Sequence, residues 1–254
     1  MTTHPNVRLL RITNNEQSPF SSGTASSISF QSNDSDLHGI NRIHLKTSII
    51  PNTQYNINNK NNTLNITWDD MNGPVAPIPV GQYTITTFIA ALKVVLDDAA
   101  YPSSFTITPD PLTFKITIVK TGGNDFTIQD KSVNPMFMVI GQNTLKTSVG
   151  NVLHCNHIYN LSGLRHVYIE SFTLGKSLLT GSIKKYAVVA DVPITVPFGS
   201  FQNDIYNETS LNVIYYRGYK NISTFNMRLV DEFGDLCEFN GAPFTLVFEI
   251  HSNT

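Results

Sequence analysis

Apolar side chains recur at every second position along most of this chain. Near its end Phe244, Leu246, Phe248 and Ile250 alternate with Thr245, Val247, Glu249 and His251. The same period runs through Phe225, Met227 and Leu229, through Leu64, Ile66 and Trp68, through Ile43, Leu45 and Thr47, and through Ile28 and Phe30. A period of two is that of a strand with one face buried and one wet. About ten such segments, separated by turn residues, predict an all-β antiparallel sandwich or jelly roll. The 254 residues, 41% of them hydrophobic, suffice for one large β-domain with a sizeable core. Charged residues make up 14%, against about 25% in typical chains, and Asn, Thr and Ser supply the polarity instead.

The period changes once. In "VGQYTITTFIAALKVVLDDAAY" (80–101), Ile85, Phe88, Ile89, Leu92, Val95 and Leu96 form one stripe at helical spacing. Gly81 breaks the preceding strand, Thr84 is the expected N-cap and Pro102 the stop. Asp97 and Asp98 oppose the helix dipole, which predicts fraying at that end. The stripe needs an apolar surface to cover, and among strands that surface is the open face or end of a sheet.

A hairpin is expected next. "FTITPD" leads into "PLTFKITIVK", with Phe114, Ile116 and Ile118 on one face; "TGGND" then turns and "FTIQD" returns. "NPMFMVIG" reads as a short apolar element and 144–156 as polar loop. "HVYIESFTL" reads as one continuous strand. The segment "KKYAVVADVPITVPFGSF" is a long strand interrupted at Pro193 and Pro197, as suits an edge or a bulge. The predicted domains are an N-terminal arm over residues 1–20, in which only "VRLLRI" has strand character, and a β-domain over 21–254 carrying a helix–hairpin insertion at about 82–130.

Composition narrows function. The net charge is −2 and the densest basic pair is Lys184–Lys185, so no basic face for nucleic acid is expected. "TTHPNVRLLRITNNE" after Met1 has no apolar core or cleavage site, and no apolar run is long enough to span a bilayer. An unsecreted chain with Cys155 and Cys237 reduced and buried is the expectation.

Chemical motifs are poorly formed. His154, Cys155 and His157 in "HCNH" lack a second ligand pair at zinc spacing, and no His-x-His of a metal-binding jelly roll occurs. Ser162 in "NLSGL" lacks the first glycine of a nucleophile elbow. "TGGND" lacks the lysine of a phosphate loop. Asp69-Asp70 and Asp97-Asp98 are adjacent pairs, which on a strand point to opposite faces; a solvated turn is favoured over calcium binding at the first. No catalytic residue, cofactor or metal ligand is therefore expected, and no enzyme. "VIYYRGYK" offers weak interface candidates in Tyr215, Tyr216, Arg217 and Tyr219, since Tyr and Arg are common anchors. Ordinary strand packing is the alternative.

The order of segments resembles a known family. "IPVGQYTITTFIAALKVVLDDA" is similar to the Gly-x-Tyr-plus-helix segment of penton (vertex) and minor capsid proteins of virophages, Polinton-like viruses and related large eukaryotic DNA viruses. "SFTITPDPLTFKITI" and "FMVIG" follow in that family's order, as do "HVYIESFTL", "VVADVPITVPFG" and "YKNISTFNMRLVDEFGDLCEFNGAPFTLVFEI". The resemblance covers roughly residues 25–251. The Leu-Pro-Ser-Asn-type signature of many Polinton minor capsid proteins is absent, and "SSGTASSISFQSND" stands in its place. The resemblance implies a single jelly roll whose helix covers one end of the sandwich. It implies a homopentamer at the fivefold vertices of an icosahedral capsid, contacting the major capsid protein, in virions built in the host cytoplasm. A non-penton minor capsid protein and a receptor- or glycan-binding sandwich, such as a fibre head or lectin-like module, remain as alternatives.

Overall fold

The structure, a computed structural model, describes residues 6–14, 21–24, 26–31, 38–68, 71–100, 103–122, 124–174, 188–207, 213–222 and 224–252. Two compact units emerge, one from Met1–Gln54 with Leu164–Thr254 and one from Tyr55–Gly163. The second is wider at both ends than the expected 82–130 insertion.

The first unit begins with β1 (Asn6–Thr13), β2 (Ser21–Thr24), β3 (Ser27–Gln31) and β4 (Ile40–Pro51). The chain then builds the second unit from β5 (Asn65–Trp68), β6 (Met71–Pro74), helix α1 (Ile85–Ala99), β7 (Ser104–Pro109), β8 (Ile116–Thr121), β9 (Phe126–Ile128), helix α2 (Phe137–Ile140), β10 (Lys146–Thr147) and β11 (Val152–His154). It returns with β12 (His166–Glu170), β13 (Val188–Pro193), β14 (Phe201–Ile205), β15 (Val213–Lys220), β16 (Thr224–Val230) and β17 (Thr245–Ser252).

The first unit is a jelly roll by its strand order. One sheet runs β1-β17-β4-β14, with β15 also pairing β4, and the other β13-β12-β16-β3-β2. The chain crosses repeatedly from one sheet to the other, and all pairs among these strands are antiparallel. First and last strands meet in one sheet, and the whole second unit lies between β4 and β12. Ile43, Leu45, Ile50, Leu246, Phe248 and Ile250 of the first sheet share a core with Val167, Ile169, Val192, Met227 and Leu229 of the second. Each large apolar side chain so buried contributes about 1.5–3 kcal/mol relative to exposure.

Alternation in β4 holds only in part. Between Phe248↔Leu45 and Val247↔Thr47 the register shifts, so Lys46 is an extra residue. This bulge resets the phase: Ser48 and Ile50 follow Ile43 and Leu45 inward, and Thr47, expected inward, is half-buried on the other face. "HVYIESFTL" is not one strand, because β12 ends at Glu170 and a turn takes Phe172–Leu174. The side chains of Ile28 and Phe30 lie outside the described residues.

The second unit has its own core. Two small sheets, β10-β9-β5-β6 and β11-β8-β7, carry Ile66, Trp68, Phe105, Ile116, Ile118 and Phe126 into it. Phe105 meets Trp68 edge-on at 5.7 Å and Phe126 at 5.5 Å. Phe88, Leu92 and Leu96 of α1 are fully buried in this core. The stripe is thus used within the second unit's own core. Thr84 caps the helix as expected, in a reciprocal capping box with Thr87.

Three local expectations fail for identifiable reasons. The helix does not fray before Ala99. The Asp97 carboxylate instead accepts from Lys93 Nζ at 2.5 Å and from the Phe105 N–H at 2.6 Å, tying the helix end to β7. Pro102, the expected stop, lies outside the described residues. β8 and β9 do not pair across "TGGND": β8 joins β7 and β11, and β9 joins β5 and β10, so that segment carries the chain between sheets. Gly123 of this segment lies outside the described residues. Phe114 leaves the face of Ile116 and Ile118, because the tight β7–β8 turn, held by Asp110, places it at φ 54° and half-exposed beside Tyr159. "NPMFMVIG" contains the short helix α2, and the expected loop 144–156 contains β10 and β11.

Candidate functional site

The outer face of the first sheet, opposite the jelly-roll core, concentrates the features of interest. Register places residues of five strands in rows of four across it. One row is Val7–His251–Arg42–Tyr215, the next Leu9–Glu249–His44–Val213, and the next Arg11–Val247–Thr47–Ile205. The rows follow from period two: if Leu246, Phe248 and Ile250 enter the core, then Val247, Glu249 and His251 must face away from it.

The centre of this face is charged and half-buried. Glu249 accepts from or pairs with His251 Nε2 at 2.6 Å, Lys46 Nζ at 3.4 Å and Arg42 at 3.9 Å. Burial pushes its carboxyl up, but the His251 hydrogen bond and Lys46 outweigh this and hold it below the usual carboxylate range. His44 is fully buried; burial lowers its imidazole below the usual histidine range, and the charges of Lys46 and Arg42 lower it further. Glu249 and a hydrogen bond with the Asn207 backbone oppose that shift. Three bases, Arg11, Arg42 and Lys46, thus share the face with one acid, Glu249.

The margins of the face are apolar and open. Leu9 is 70% exposed, Ile205 82% and Tyr215 56%, with Val7 exposed beside them. Tyr215 carries the Arg42 guanidinium 5.8 Å from its ring centroid, a cation–π contact. Tyr216 points the other way. Its hydroxyl donates to the Leu174 carbonyl at 3.2 Å, and burial pushes it up to about 12. Arg217 and Tyr219 lie on β15, and their side chains are outside the described residues. The "VRLLRI" segment of the expected arm is β1, paired with β17 along its whole length.

A second surface of the same unit lies in the turn from β16 to β17. Asp231 accepts from the Phe233 and Asp235 N–H groups, each at 2.9 Å, and the Asp231 N–H donates to the Asp235 carbonyl at 2.8 Å. Gly234 takes φ 82°, open to Gly without strain. The fixed turn holds Phe233 61% exposed, with Leu236, Asp235 and Glu238 also exposed and Glu232 4.0 Å from Arg165. In sequence "DEFGD" marks a turn without singling out its tip. The signal for the tip is an aromatic inside a Gly-containing acidic turn, where no core position is available.

Other candidates do not converge. His154 is exposed with Nδ1 2.9 Å from Thr117 Oγ1, His157 hydrogen-bonds Asn143 at 3.1 Å, and Cys155 is buried, its thiol pushed up to about 12 by burial. Among the described residues no three His, Cys, Asp or Glu side chains gather as metal ligands. Ser162 Oγ donates to Asn160 Oδ1 at 2.6 Å within its own turn. Asp69-Asp70 and Lys184–Lys185 lie outside the described residues. Cys155 and Cys237 are both buried as free thiols. Among the described residues no helix is long and apolar enough to cross a membrane.

No family model and no curated protein matches the chain. Among solved structures it is similar to the crystal structure of the selenomethionine-labelled mavirus penton protein, at 12% identity and a TM-score of 0.46, over 97% of this chain and 99% of that one.

Proposed function

We propose that this chain is a structural capsid subunit, a penton that assembles as a homopentamer at the fivefold vertices of an icosahedral virion and contacts the surrounding major capsid protein. The observation that carries this reading is the order of segments. The Gly-x-Tyr, helix, hairpin and short apolar element all stand between β4 and β12 of a jelly roll, in the order of the family that the sequence resembles. Fold alone does not give function, since jelly rolls host many. The surface suits an assembling protein: Val7, Leu9, Ile205 and Tyr215 stand exposed at the margins of one sheet face. The chain acts by assembly and not by catalysis, in virions formed in the host cytoplasm, with no cofactor and no nucleic-acid partner.

The test is the solution mass of the purified protein by light scattering, with negative-stain images of the same peak. A mass of about five times 28.2 kDa and a closed ring are expected. A trimer would overturn the penton reading in favour of a fibre head. Failure of a tagged chain to enter capsids assembled with the major capsid protein would overturn the capsid reading as a whole.

A further inference from the structure

We infer that the acidic β16–β17 turn of one copy docks on the outer face of the first sheet of the next copy. This rests on the capsid-subunit reading and adds the two surfaces that would meet. The occupant is argued from charge. The turn 231–238 holds four acids and no base; Asp231 is buried in its own hydrogen bonds and Glu232 lies beside Arg165, so Asp235 and Glu238 present the exposed negative charge. The sheet face sets Arg11, Arg42 and Lys46 against one acid. Apolar groups match as well: Phe233 and Leu236 stand exposed on the turn, while Val7, Leu9 and Ile205 are open on the face. Aromatic anchors ringed by complementary charge are the usual centre of a protein interface.

Both surfaces are set before contact. The turn is held by three hydrogen bonds of Asp231, two to its carboxylate and one from its N–H, and the face by the strand ladder and the Glu249 ion pairs. Little ordering entropy is then lost on docking. The two patches are different surfaces of one unit, so the contact is heterologous. Each copy offers a turn to one neighbour and a face to the other, and such a contact closes into a ring or grows into a filament.

The experiment uses the full chain in two variants, Leu9→Asp on the face and Phe233→Asp on the turn. Both side chains are exposed, so circular dichroism and melting should match the wild type. Light scattering should show an assembled wild type and, for each variant, self-association weakened by about 30-fold or more. An equimolar mixture should then form a species of twice 28.2 kDa and stop there, since one intact turn remains for one intact face. If the wild type assembles and either variant assembles equally well, this interface is overturned and the capsid reading stands. If both variants are monomeric and their mixture also stays monomeric, the head-to-tail arrangement is overturned. A wild type that is monomeric at hundreds of micromolar overturns the interface, and capsid incorporation of the tagged chain then decides the capsid reading separately.

Discussion

Replacing Asn56 by alanine should loosen the second unit at the point where its ends meet. Asn56 is buried, and its amide makes three hydrogen bonds: Nδ2 donates to the carbonyls of Tyr83 at 2.8 Å and Leu161 at 2.9 Å, and Oδ1 accepts from the Tyr83 N–H at 2.9 Å. One side chain thus joins the entry of the unit, the approach to α1 and the exit near Gly163. A buried hydrogen bond contributes about 1 kcal/mol net, so the alanine variant should lose about 3 kcal/mol. At roughly 2–4 °C per kcal/mol for a chain of this size, the melting transition should fall by about 6–12 °C. Calorimetry measures this, and amide exchange at Tyr83 localises it. Asn56→Asp sharpens the case, because a carboxylate keeps the bond from Tyr83 N–H but turns a bare oxygen toward two carbonyls. It should be as destabilised as alanine at pH 7 and recover in part toward pH 4, where a protonated acid donates again. An alanine variant melting within about 2 °C of wild type, with Tyr83 exchange unchanged, would refute the reasoning.

Three further outcomes follow from the geometry. Gly141 stands at φ 75°, where an added Cβ would lie 2.3 Å from the His157 carbonyl oxygen, so Gly141→Ala combines left-handed strain with a backbone clash and should cost about 3 kcal/mol in urea unfolding. His44 has its folded pKa below the ordinary histidine value of about 6.5. Its contribution is therefore complete above that pH and is lost as pH falls below it; stability should decline from pH 7 to 5, and His44→Gln should flatten that decline. Cys155 is buried with a thiol raised to about 12, so iodoacetamide should fail to label it in the native protein at pH 8 and label it fully in urea.

Strand content was legible because burial in a sheet has period two, and the core residues of β17 and β5 alternate as that demands. The α1 stripe was legible for the matching reason. What escaped were features decided by partners distant in sequence. The Lys46 bulge in β4 exists because β17 lies opposite with one residue fewer, and nothing within "INRIHLKTSII" reports it. β8 and β9 read as a hairpin because turn residues separate them, yet the β7 and β11 edges on one side and β5 and β10 on the other take them apart. Asp97 is unfavourable by the helix dipole alone; its bonds to Lys93 and the Phe105 N–H outweigh that penalty. The size of the second unit was hidden because its ends, near Asn56 and Leu161, are brought together by contacts over a hundred residues apart.

The candidate interface was hidden for a different reason. A strand's outer face carries whatever water tolerates, so Glu249, His251 and Arg42 look like ordinary wet positions when each strand is taken alone. Only the register makes them neighbours and ranks Val7 and Leu9 beside them. β1 in particular has little apolar alternation of its own and reads as a terminal arm. Once paired with β17 it becomes the sheet's edge, and its exposed leucine stops being incidental. An edge strand with apolar side chains on an open face is a liability in a monomer. In a subunit meant to meet copies of itself, the same edge is where the next molecule has something to hold.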